Sequence, residues 1–373
     1  MKVFLSRPDI TEKEIQAVTD VLRTPNLALG PKMVEFEQNM AKYIGTKHAV
    51  AVNSGTSGLF LCMSALNIGP GDEVITTPFT FIASATTIMM VGAKPVFVDI
   101  DPVNLNIDPD KIEEKITEKT KAILPVEVFG NPTGIDTVCE IAKKHNLAIV
   151  EDSCEALGAQ LNGKKIGTFG DMSTFAFYPN KQITTGEGGM ILTDSDDLAD
   201  MCVSLRNQGR GKAGTWLAHE RLGYNYRLSD INCAIGIVQL SRIDEIKAKR
   251  KRAAGYYQQL LADEDRIILP TEPENCDLSW FVFVVRLLEK YTPQQRNETL
   301  DYMRENGIQV SNYFPPVHLQ PFIAEKFGHK EGDFPITDTV CQSTIALPFY
   351  NDLTKDDAQI VCETLKRALD NLG

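Results

Sequence analysis

Lys181 is the residue of this 373-residue chain whose type and surroundings most strongly indicate chemistry. It follows the aromatic run Phe175–Tyr178 and precedes a turn that contains Gly186, Gly188 and Gly189. An amine buried beside aromatic rings loses its proton more easily than one in water, and it can then act as a nucleophile. Glycines in the turn permit a backbone that approaches a ligand closely. The sequence therefore predicts a nucleophilic lysine.

Asp152 comes directly after Glu151 at the end of a short apolar run, Leu147–Val150. Ligands of α/β sheets bind at the carboxyl ends of the strands, where this aspartate is predicted to lie. A carboxylate there can keep a pyridine nitrogen protonated, while a lysine amine forms an imine with an aldehyde. Lys181 and Asp152 together therefore predict a site for pyridoxal phosphate (PLP). The alternative role, a helix cap or turn acid, suits the neighbouring Glu151 better.

A phosphate site is predicted at Asn53–Thr56, which follows the run His48–Val52 and opens a helix. Free backbone N–H groups and the helix dipole attract a phosphate there, and the Thr56 hydroxyl adds a donor. Taken alone, the segment could be a simple helix cap. Phe81 follows the run Glu73–Thr77, where its ring could stack on a pyridine or pack in the core.

Three other features combine residue types found in binding sites. Tyr313–His318 contains aromatic residues, prolines and a histidine, although a single histidine is more often structural. Gly223–Asp230 is a polar and aromatic cluster before a helix, and it could be an ordinary helix entry. Cys154, close to Asp152, is predicted to be a small filler beside the cofactor, with a reactive thiol as the alternative.

Buried strands that alternate with helices must position these residues. Continuous apolar runs indicate strands of a sheet covered on both faces, and the alternation implies right-handed crossovers and a mostly parallel sheet. The predicted strands are His48–Val52, Glu73–Thr77, Val96–Asp99, Ala122–Val126, Ala148–Glu151, Ser173–Tyr178 and Gly189–Thr193. The predicted helices between them are Thr56–Leu66, Ile82–Val91, Pro109–Ile116 and Thr137–His145.

The remaining chain predicts a smaller α/β domain. Arg227–Leu261 indicates a long helical segment with Ser229 as its N-cap, and the polar, proline-bearing segment Pro270–Cys276 indicates a linker or irregular loop. We therefore predict a large domain over 1–245 and a small C-terminal domain over 246–373. The predicted strands of the small domain are Trp280–Leu287 and Ile308–Asn312, and its predicted helices are Pro293–Asn306 and Lys355–Leu369.

Composition excludes several classes of function. The net charge of −12 argues against a general nucleic-acid or anionic-membrane surface. No apolar run approaches the roughly 20 residues of a membrane-spanning helix, and the N-terminus is too polar for a signal peptide. The eight cysteines are scattered without a Cys-x-x-Cys motif, which argues against a structural zinc site and favours the reducing cytoplasm. No metal is predicted.

The motifs resemble, over nearly the whole chain, the DegT-type sugar aminotransferases, a branch of the fold-type-I PLP enzymes that aminates nucleotide-linked keto-sugars. Enzymes of the perosamine synthase type, which make 4-amino sugars, belong to this branch. The segments that carry the resemblance are Gly69–Val74, Thr80–Ser84, Pro95–Asp99, Glu151–Gly158, Gly167–Asp171, the Lys181 motif and Asn225–Ser229.

The resemblance implies a role for each candidate residue. Lys181 would be the Schiff-base lysine and the base that moves the proton between cofactor and substrate carbons, and Asp152 would pair with the pyridine nitrogen. The other implied cofactor residues are Gly55 and Thr56 at the phosphate, Phe81 on the ring, Glu155 near the ring hydroxyl, and Asn225, which reaches the phosphate of the neighbouring subunit in a homodimer with shared active sites. Tyr313 and His318 are the candidates for substrate binding.

Two positions depart from the family pattern. Glu155 stands where the family often has His or Gln, and Ala176 stands where many members have a serine that bonds the phosphate. Phosphate binding would then rely more on Gly55, Thr56 and the partner's Asn225.

The implied reaction moves an amino group from glutamate to a nucleotide-linked 4-keto-6-deoxyhexose, for amino-sugar biosynthesis. Lys181 argues against the related dehydratases, which carry His at that position. The run Thr184–Gly189 argues against amino-acid aminotransferases, which usually have Gly-x-Arg-x-Gly there. A 3-keto sugar, a cyclitol ketone, and a PLP-binding regulatory protein without turnover remain as alternatives, and the nucleotide is left open.

Overall fold

The computed structural model describes residues 3–211 and 218–372. Its helices are α1 (Glu12–Leu22), α2 (Pro31–Ile44), α3 (Gly55–Ala65), α4 (Ala83–Met90), α5 (Ile135–His145), α6 (Asp196–Arg206), α7 (Asp230–Ser241), α8 (Ile243–Leu260), α9 (Pro293–Glu305), α10 (Pro321–Phe327), α11 (Pro335–Ser343) and α12 (Lys355–Asp370). Its strands are β1 (His48–Val52), β2 (Glu73–Thr76), β3 (Lys94–Phe97), β4 (Thr120–Ile123), β5 (Ala148–Asp152), β6 (Gln160–Leu161), β7 (Lys164–Lys165), β8 (Met172–Ala176), β9 (Gly189–Thr193), β10 (Ile267–Ile268), β11 (Cys276–Asp277), β12 (Phe283–Leu287) and β13 (Thr344–Leu347).

The main sheet contains seven strands in the order β1-β9-β8-β5-β4-β2-β3. Strands β3, β2, β4, β5 and β8 run parallel, whereas β9 is antiparallel to both of its neighbours, β8 and β1. These are the strands predicted from the apolar runs, with their ends shifted slightly along the chain. The predicted α/β fold with a mostly parallel seven-stranded sheet is therefore confirmed.

Helices bury both faces of this sheet. On one face, α3 contributes Leu59 and Leu61 to a core with Val150. On the other, α5 contributes Val138 and Ala142 to a core with strand residues. Both faces must be dry because parallel strands with continuous apolar runs have no side to turn towards water. The polar residues that matter for chemistry are therefore left at the strand ends.

One predicted helix is absent, and one predicted helical segment is interrupted. Pro109–Ile116 forms two short 3₁₀ turns, Pro109–Lys111 and Glu113–Lys115, because a segment this short cannot offset the cost of helix nucleation without a full apolar face. The predicted helical segment Arg227–Leu261 contains two helices, α7 and α8, that meet at Arg242. The predicted N-cap is present, since Ser229 Oγ accepts a hydrogen bond from the Asn232 N–H.

A second sheet, β10-β12-β13, forms the C-terminal part with α9 and α12 packed against it. The predicted strand Ile308–Asn312 is reduced to isolated bridges at Ile308 and Ser311. Helix α8 links the two cores, since Ile246 packs in the core beside the main sheet and Tyr257 in the C-terminal core. The boundary predicted near residue 245 falls inside this helix. Within the described ranges, no helix is both long and apolar enough to cross a membrane.

The first described residues join the C-terminal core. Val3 is buried there, its N–H donates to the Gly307 carbonyl, and its carbonyl accepts from the Gln309 N–H. The Leu5 carbonyl accepts from the Phe349 N–H at 2.8 Å. The start of the chain is thus tied to segments that lie far along the sequence.

An ion network explains the break between α7 and α8. The Arg242 guanidinium turns inward, with Nη2 at 2.8 Å from Asp9 Oδ1 and Nη1 at 2.9 Å from Glu14 Oε1. Lys249 and Asn351 also donate to Asp9. Because these carboxylates are buried and paired, losing one charge would leave the partner charge unpaired. The network therefore fixes the start of α8.

We predict that this network makes the fold sensitive to acid. Burial alone would raise the pKa of Asp9 and of Glu14, but their hydrogen bonds, chiefly from Arg242 and Lys249 to Asp9 and from Thr11 and Gln239 to Glu14, lower each to about 2. Carboxyls with depressed pKa values stabilise the fold above their unfolded pKa of roughly 4, and this contribution is lost as pH falls towards 2. The urea midpoint should therefore fall across that range.

The Asp9→Asn variant should have a lower midpoint near neutral pH and a shallower decline between pH of about 4.5 and 2. Asp352→Asn is the control, because it also removes a carboxylate paired with Lys249 but an exposed one. The Asp352 side chain is 68% exposed, and its Oδ1 lies 3.4 Å from Lys249 Nζ. Equal slopes in the wild-type protein and Asp9→Asn would contradict the assignment.

Candidate functional site

The carboxyl ends of the parallel strands open onto a cavity of about 820 Å³. Its walls come from the segments that follow β1, β2, β4, β5 and β8, together with Phe281 and residues 311–315. The sequence-predicted residues that line it are Gly55, Thr56, Phe81, Asp152, Glu155, Lys181 and Tyr313. The main sheet therefore brings together side chains that are widely separated in the sequence.

Lys181 lies just after β8 with its amine inside the cavity. Its Nζ is 3.5 Å from Glu155 Oε1 and 4.1 Å from the centroid of the Phe281 ring. The side chain is 13% exposed. A cation between a carboxylate and an aromatic face is held by both, since each presents negative potential. Phe281 was missed by sequence reasoning because it follows α8, far from the lysine along the chain.

Asp152, at the end of β5, is oriented by two donors. The Ser84 hydroxyl donates to Oδ2 at 2.7 Å, and the Cys154 N–H donates to Oδ1 at 3.3 Å. Ser84 lies in the first turn of α4, and its motif Thr80–Ser84 was noticed in the sequence without a role for this hydroxyl. A buried carboxylate held in this way is a suitable acceptor for a protonated ring nitrogen.

Glu155 is almost fully buried beside the lysine. Its Oε2 accepts a hydrogen bond from the Phe129 N–H at 2.9 Å, which leaves Oε1 directed at Lys181. Burial raises the pKa of Glu155, and the positive charge of Lys181 opposes that rise. The carboxyl group can therefore hold or release a proton nearer to neutral pH than an exposed glutamate.

The N-terminus of α3 forms a cradle suited to an anion. Ser54 caps the helix by accepting from the Ser57 N–H at 3.1 Å, and Gly55 opens its first turn. A Cβ at position 55 would lie 2.8 Å from the Ala176 Cβ and 2.9 Å from the Cys154 Sγ. Position 55 therefore has no room for a side chain unless Ala176 or Cys154 shifts, and Gly55 and Thr56 line the cavity where the phosphate is predicted to bind.

Cys154 belongs to this cradle as a neutral thiol. Burial raises its pKa well above the ordinary value, and the charge of Asp152 raises it further, with Lys181 opposing. Because the thiolate is the reactive form of cysteine, the structure favours the filler role over the reactive one.

Phe81 stands at the cavity with 59% of its surface exposed. A large aromatic ring that remains exposed beside a polar cavity is free to stack on a planar ligand. Its neighbour Phe79 is fully buried and supplies the core packing that was the alternative for this segment.

Tyr313 lines the cavity and stacks on Phe314 with ring centroids 5.1 Å apart. Burial raises the pKa of Tyr313, and the charge of Glu155 adds to this effect. Its hydroxyl therefore remains a neutral donor at physiological pH. This residue can contact a ligand that sits above Lys181.

His318 and Asn225 lie outside the described lining of this cavity. The His318 ring is fully buried, 4.8 Å from the Phe334 ring, with Nε2 at 3.2 Å from Asp338 Oδ1. A substrate-binding role for His318 is thus not supported, because its ring is packed in the protein interior and does not line the cavity. Asn225 is exposed, its segment forms a β-bridge with Asn207, and it does not line this subunit's cavity.

Within the described ranges, no group of three or more His, Cys, Asp and Glu side chains could hold a metal ion. The cavity offers an amine, two buried carboxylates, an anion cradle and an exposed aromatic ring. These groups suit the parts of PLP: the amine suits the aldehyde, and the two carboxylates suit the pyridine nitrogen and the ring hydroxyl. The anion cradle suits the phosphate, and the exposed aromatic ring suits the face of the pyridine.

Known proteins are similar to this chain over nearly its whole length. The model of the DegT/DnrJ/EryC1/StrS aminotransferase family matches residues 8–366. The spore coat polysaccharide biosynthesis protein SpsC of Bacillus subtilis is 39% identical, covering 97% of this chain and 95% of that protein. The GDP-perosamine synthase of Caulobacter vibrioides is 38% identical, covering 99% and 98%. Among solved structures, Spr1654 of Streptococcus pneumoniae in its PLP form has a TM-score of 0.95 at 30% identity and covers 100% of both chains.

The Gly55→Ala variant should lower PLP affinity by about tenfold or more. The added methyl would push Ala176 and Cys154 apart, and such overpacking costs ~1–3 kcal/mol where the anion must approach. Fluorescence titration of the apoprotein with PLP measures the effect. Gly255→Ala is the matched control, since its added Cβ would meet open space. Unchanged affinity for Gly55→Ala would contradict the phosphate site.

Proposed function

The chain belongs to the DegT/DnrJ/EryC1/StrS aminotransferase family, and on that premise we propose that it aminates a nucleotide-linked 4-keto-6-deoxyhexose with glutamate as amine donor. The enzyme is a PLP-dependent transaminase, as the family match over residues 8–366 and the relatives indicate. The product would enter amino-sugar biosynthesis. The cavity with Lys181 and Asp152 supplies the chemical basis for this proposal.

PLP, when bound, supplies an electron sink for the carbon that gains or loses nitrogen. We assign Lys181 to hold the aldehyde end and Asp152, oriented by Ser84, to hold the ring nitrogen. The α3 N-terminus with Gly55 and Thr56 would hold the phosphate, with Phe81 against the ring.

The chain's own groups then handle the protons. The Lys181 amine accepts and returns a proton at the reacting carbon, and Glu155 Oε1, 3.5 Å away, stabilises the ammonium form. Tyr313 and Phe281 wall the cavity and exclude water from these groups. Water exclusion strengthens each charge interaction in the site, because the local dielectric falls.

The proposal that the sugar is aminated at C4 depends on one observation, the 38% identity to a GDP-perosamine synthase over almost the full length of both chains. Perosamine carries its amino group at C4 of a 6-deoxyhexose. The relative named for spore coat polysaccharide biosynthesis supports a product destined for a surface glycan. Together they favour C4 over C3 and a sugar over a cyclitol.

We further propose a cytoplasmic homodimer in which each subunit completes its partner's site. The exposed position of Asn225 supports a contact with a second copy. The eight cysteines are unpaired, as expected where thiols stay reduced.

Purified protein with PLP, glutamate and a panel of nucleotide-linked 4-keto and 3-keto hexoses should aminate the 4-keto-6-deoxyhexoses. Mass spectrometry of the amino sugar and assay of 2-oxoglutarate measure the reaction. Lys181→Ala should lose both turnover and the visible absorbance of the bound cofactor, because no other amine is assigned to the aldehyde.

Each other outcome of the panel rejects a stated part of the proposal. Amination of 3-keto sugars or cyclitol ketones alone would overturn the C4 assignment. PLP binding without turnover on any ketone would favour the regulatory alternative. An active Lys181→Ala protein would overturn the mechanism.

The shared site makes a separate prediction. Asn225→Ala should lower PLP affinity about tenfold to a hundredfold, since hydrogen bonds to charged groups contribute about 1.5–3 kcal/mol. Mixed with Lys181→Ala subunits at limiting PLP, it should regain part of its activity, because one site of each hybrid dimer then has both residues. Subunit exchange is verified by native mass spectrometry of differently tagged copies. Hybrids that form without any gain in activity would contradict the shared site.

A further inference from the structure

Arg250 is a buried arginine whose hydrogen bonds go to main-chain carbonyls. It lies on α8, is 3% exposed, and is part of no motif singled out in the sequence. Its Nη2 donates to the Lys181 carbonyl at 2.9 Å, and its Nη1 donates to the carbonyls of Phe281 at 3.0 Å and Trp280 at 3.3 Å. One guanidinium therefore joins two chain segments that are distant in sequence.

The two segments joined by Arg250 carry the amine and the aromatic ring of one cation–π contact. Lys181 supplies the amine, and Phe281 supplies the ring whose centroid lies 4.1 Å from Nζ. Gln182 reinforces the connection, because its Nε2 donates to the Ser279 carbonyl at 3.0 Å and also to the Glu155 carbonyl. The Lys181 backbone and the neighbouring Gln182 side chain are thus connected to the segment that carries the Phe281 ring, and Gln182 also contacts the main chain of Glu155.

The guanidinium is suited to this connection by its rigid, planar set of donors. Burial lowers the pKa of Arg250 to about 10, with the charge of Asp9 opposing, so the group stays cationic at neutral pH. Hydrogen bonds from a charged donor are shorter and stronger than neutral ones. The ring of Phe349, with its centroid 5.7 Å from Cζ, contacts the guanidinium from the C-terminal core.

Helix α8 places this arginine between the two cores. Ile246 packs beside the main sheet, whereas Ala253 packs in the C-terminal core. Arg250 lies between them on the same helix, and the network of Asp9 and Arg242 fixes the start of that helix.

We propose that Arg250 is a positioning residue for Lys181. By holding the Lys181 backbone and the Phe281 segment together, Arg250 keeps the lysine amine in its reactive position beside the Phe281 ring. Arg250 contacts neither substrate nor the reacting atoms. The proposal depends on the proposed function only in assigning the chemistry to Lys181.

The test compares three methionine variants, because methionine keeps most of the side-chain volume. Arg250→Met removes the proposed connection. Arg296→Met is the control for a buried arginine, since Arg296 also donates to two carbonyls, of Cys341 and Thr344, but within the C-terminal part. Arg252→Met is the control for the helix, since Arg252 is exposed on α8. Neither control residue contacts the cavity residues assigned above.

The first readout is hydrogen exchange in the cofactor-free protein. In Arg250→Met, amides of residues 178–183 and 279–283 should exchange about tenfold faster or more, because both segments lose the same anchor. Arg296→Met and Arg252→Met should leave both segments at wild-type rates. This readout needs no substrate, so it is independent of which sugar the enzyme uses.

The second readout follows the lysine itself. The rate at which Lys181 of the apoprotein couples to PLP, trapped by borohydride and measured by peptide mass, should fall about 100-fold in Arg250→Met, as expected for a misplaced reacting group. With a working substrate, kcat should fall by a similar factor while KM for glutamate stays within about threefold. Arg250→Lys should recover part of each loss, because an ammonium can still reach some of the carbonyls.

Equal exchange in both segments of Arg250→Met and the wild-type protein would overturn the proposal. So would equal losses in Arg250→Met and Arg296→Met, since these would reflect stability alone. If Arg250→Met fails to fold, the same two readouts on Arg250→Lys decide the question.

Discussion

The candidate site depends on keeping the Lys181 amine and the Glu155 carboxyl, both largely buried, close together. Either group alone would be costly to bury, whereas at 3.5 Å each offsets the desolvation of the other. The parallel pairing of β5 with β8 makes this possible, because Glu155 follows the first strand and Lys181 the second. The aromatic and backbone contacts around the amine then limit where it can move.

The sequence indicated the parts of the site that lie within a few residues of a strand end. Gly55, Asp152 and Lys181 could be predicted because apolar runs locate the strands, and strand ends meet at one edge of a sheet. Phe281, Ser84 and Arg250 could not, because their roles arise from packing between distant segments. A lone phenylalanine, serine or arginine carries no spacing that distinguishes such a role from ordinary core packing.

The same limit explains the wrong expectations about the fold and the site. His318 has a chemically versatile side chain, but its partners, Phe334 and Asp338, lie at the N-cap and in the first turn of α11, which no local pattern connects to it. The break between α7 and α8 depends on Asp9 and Glu14, which lie near the start of the chain. Helical periodicity continues through Arg242, so the interruption becomes visible only when the ion network is known.

The attachment of the first residues to the C-terminal core has a consequence for biosynthesis. Val3 and Leu5 are synthesised before their hydrogen-bond partners Gly307, Gln309 and Phe349, which follow much later in the sequence. The main sheet can form while translation continues, but the apolar side chains of Val3 and Leu5 stay exposed to solvent until the C-terminal core forms. The nascent chain is therefore exposed to chaperones and to mispairing until those partners have been synthesised.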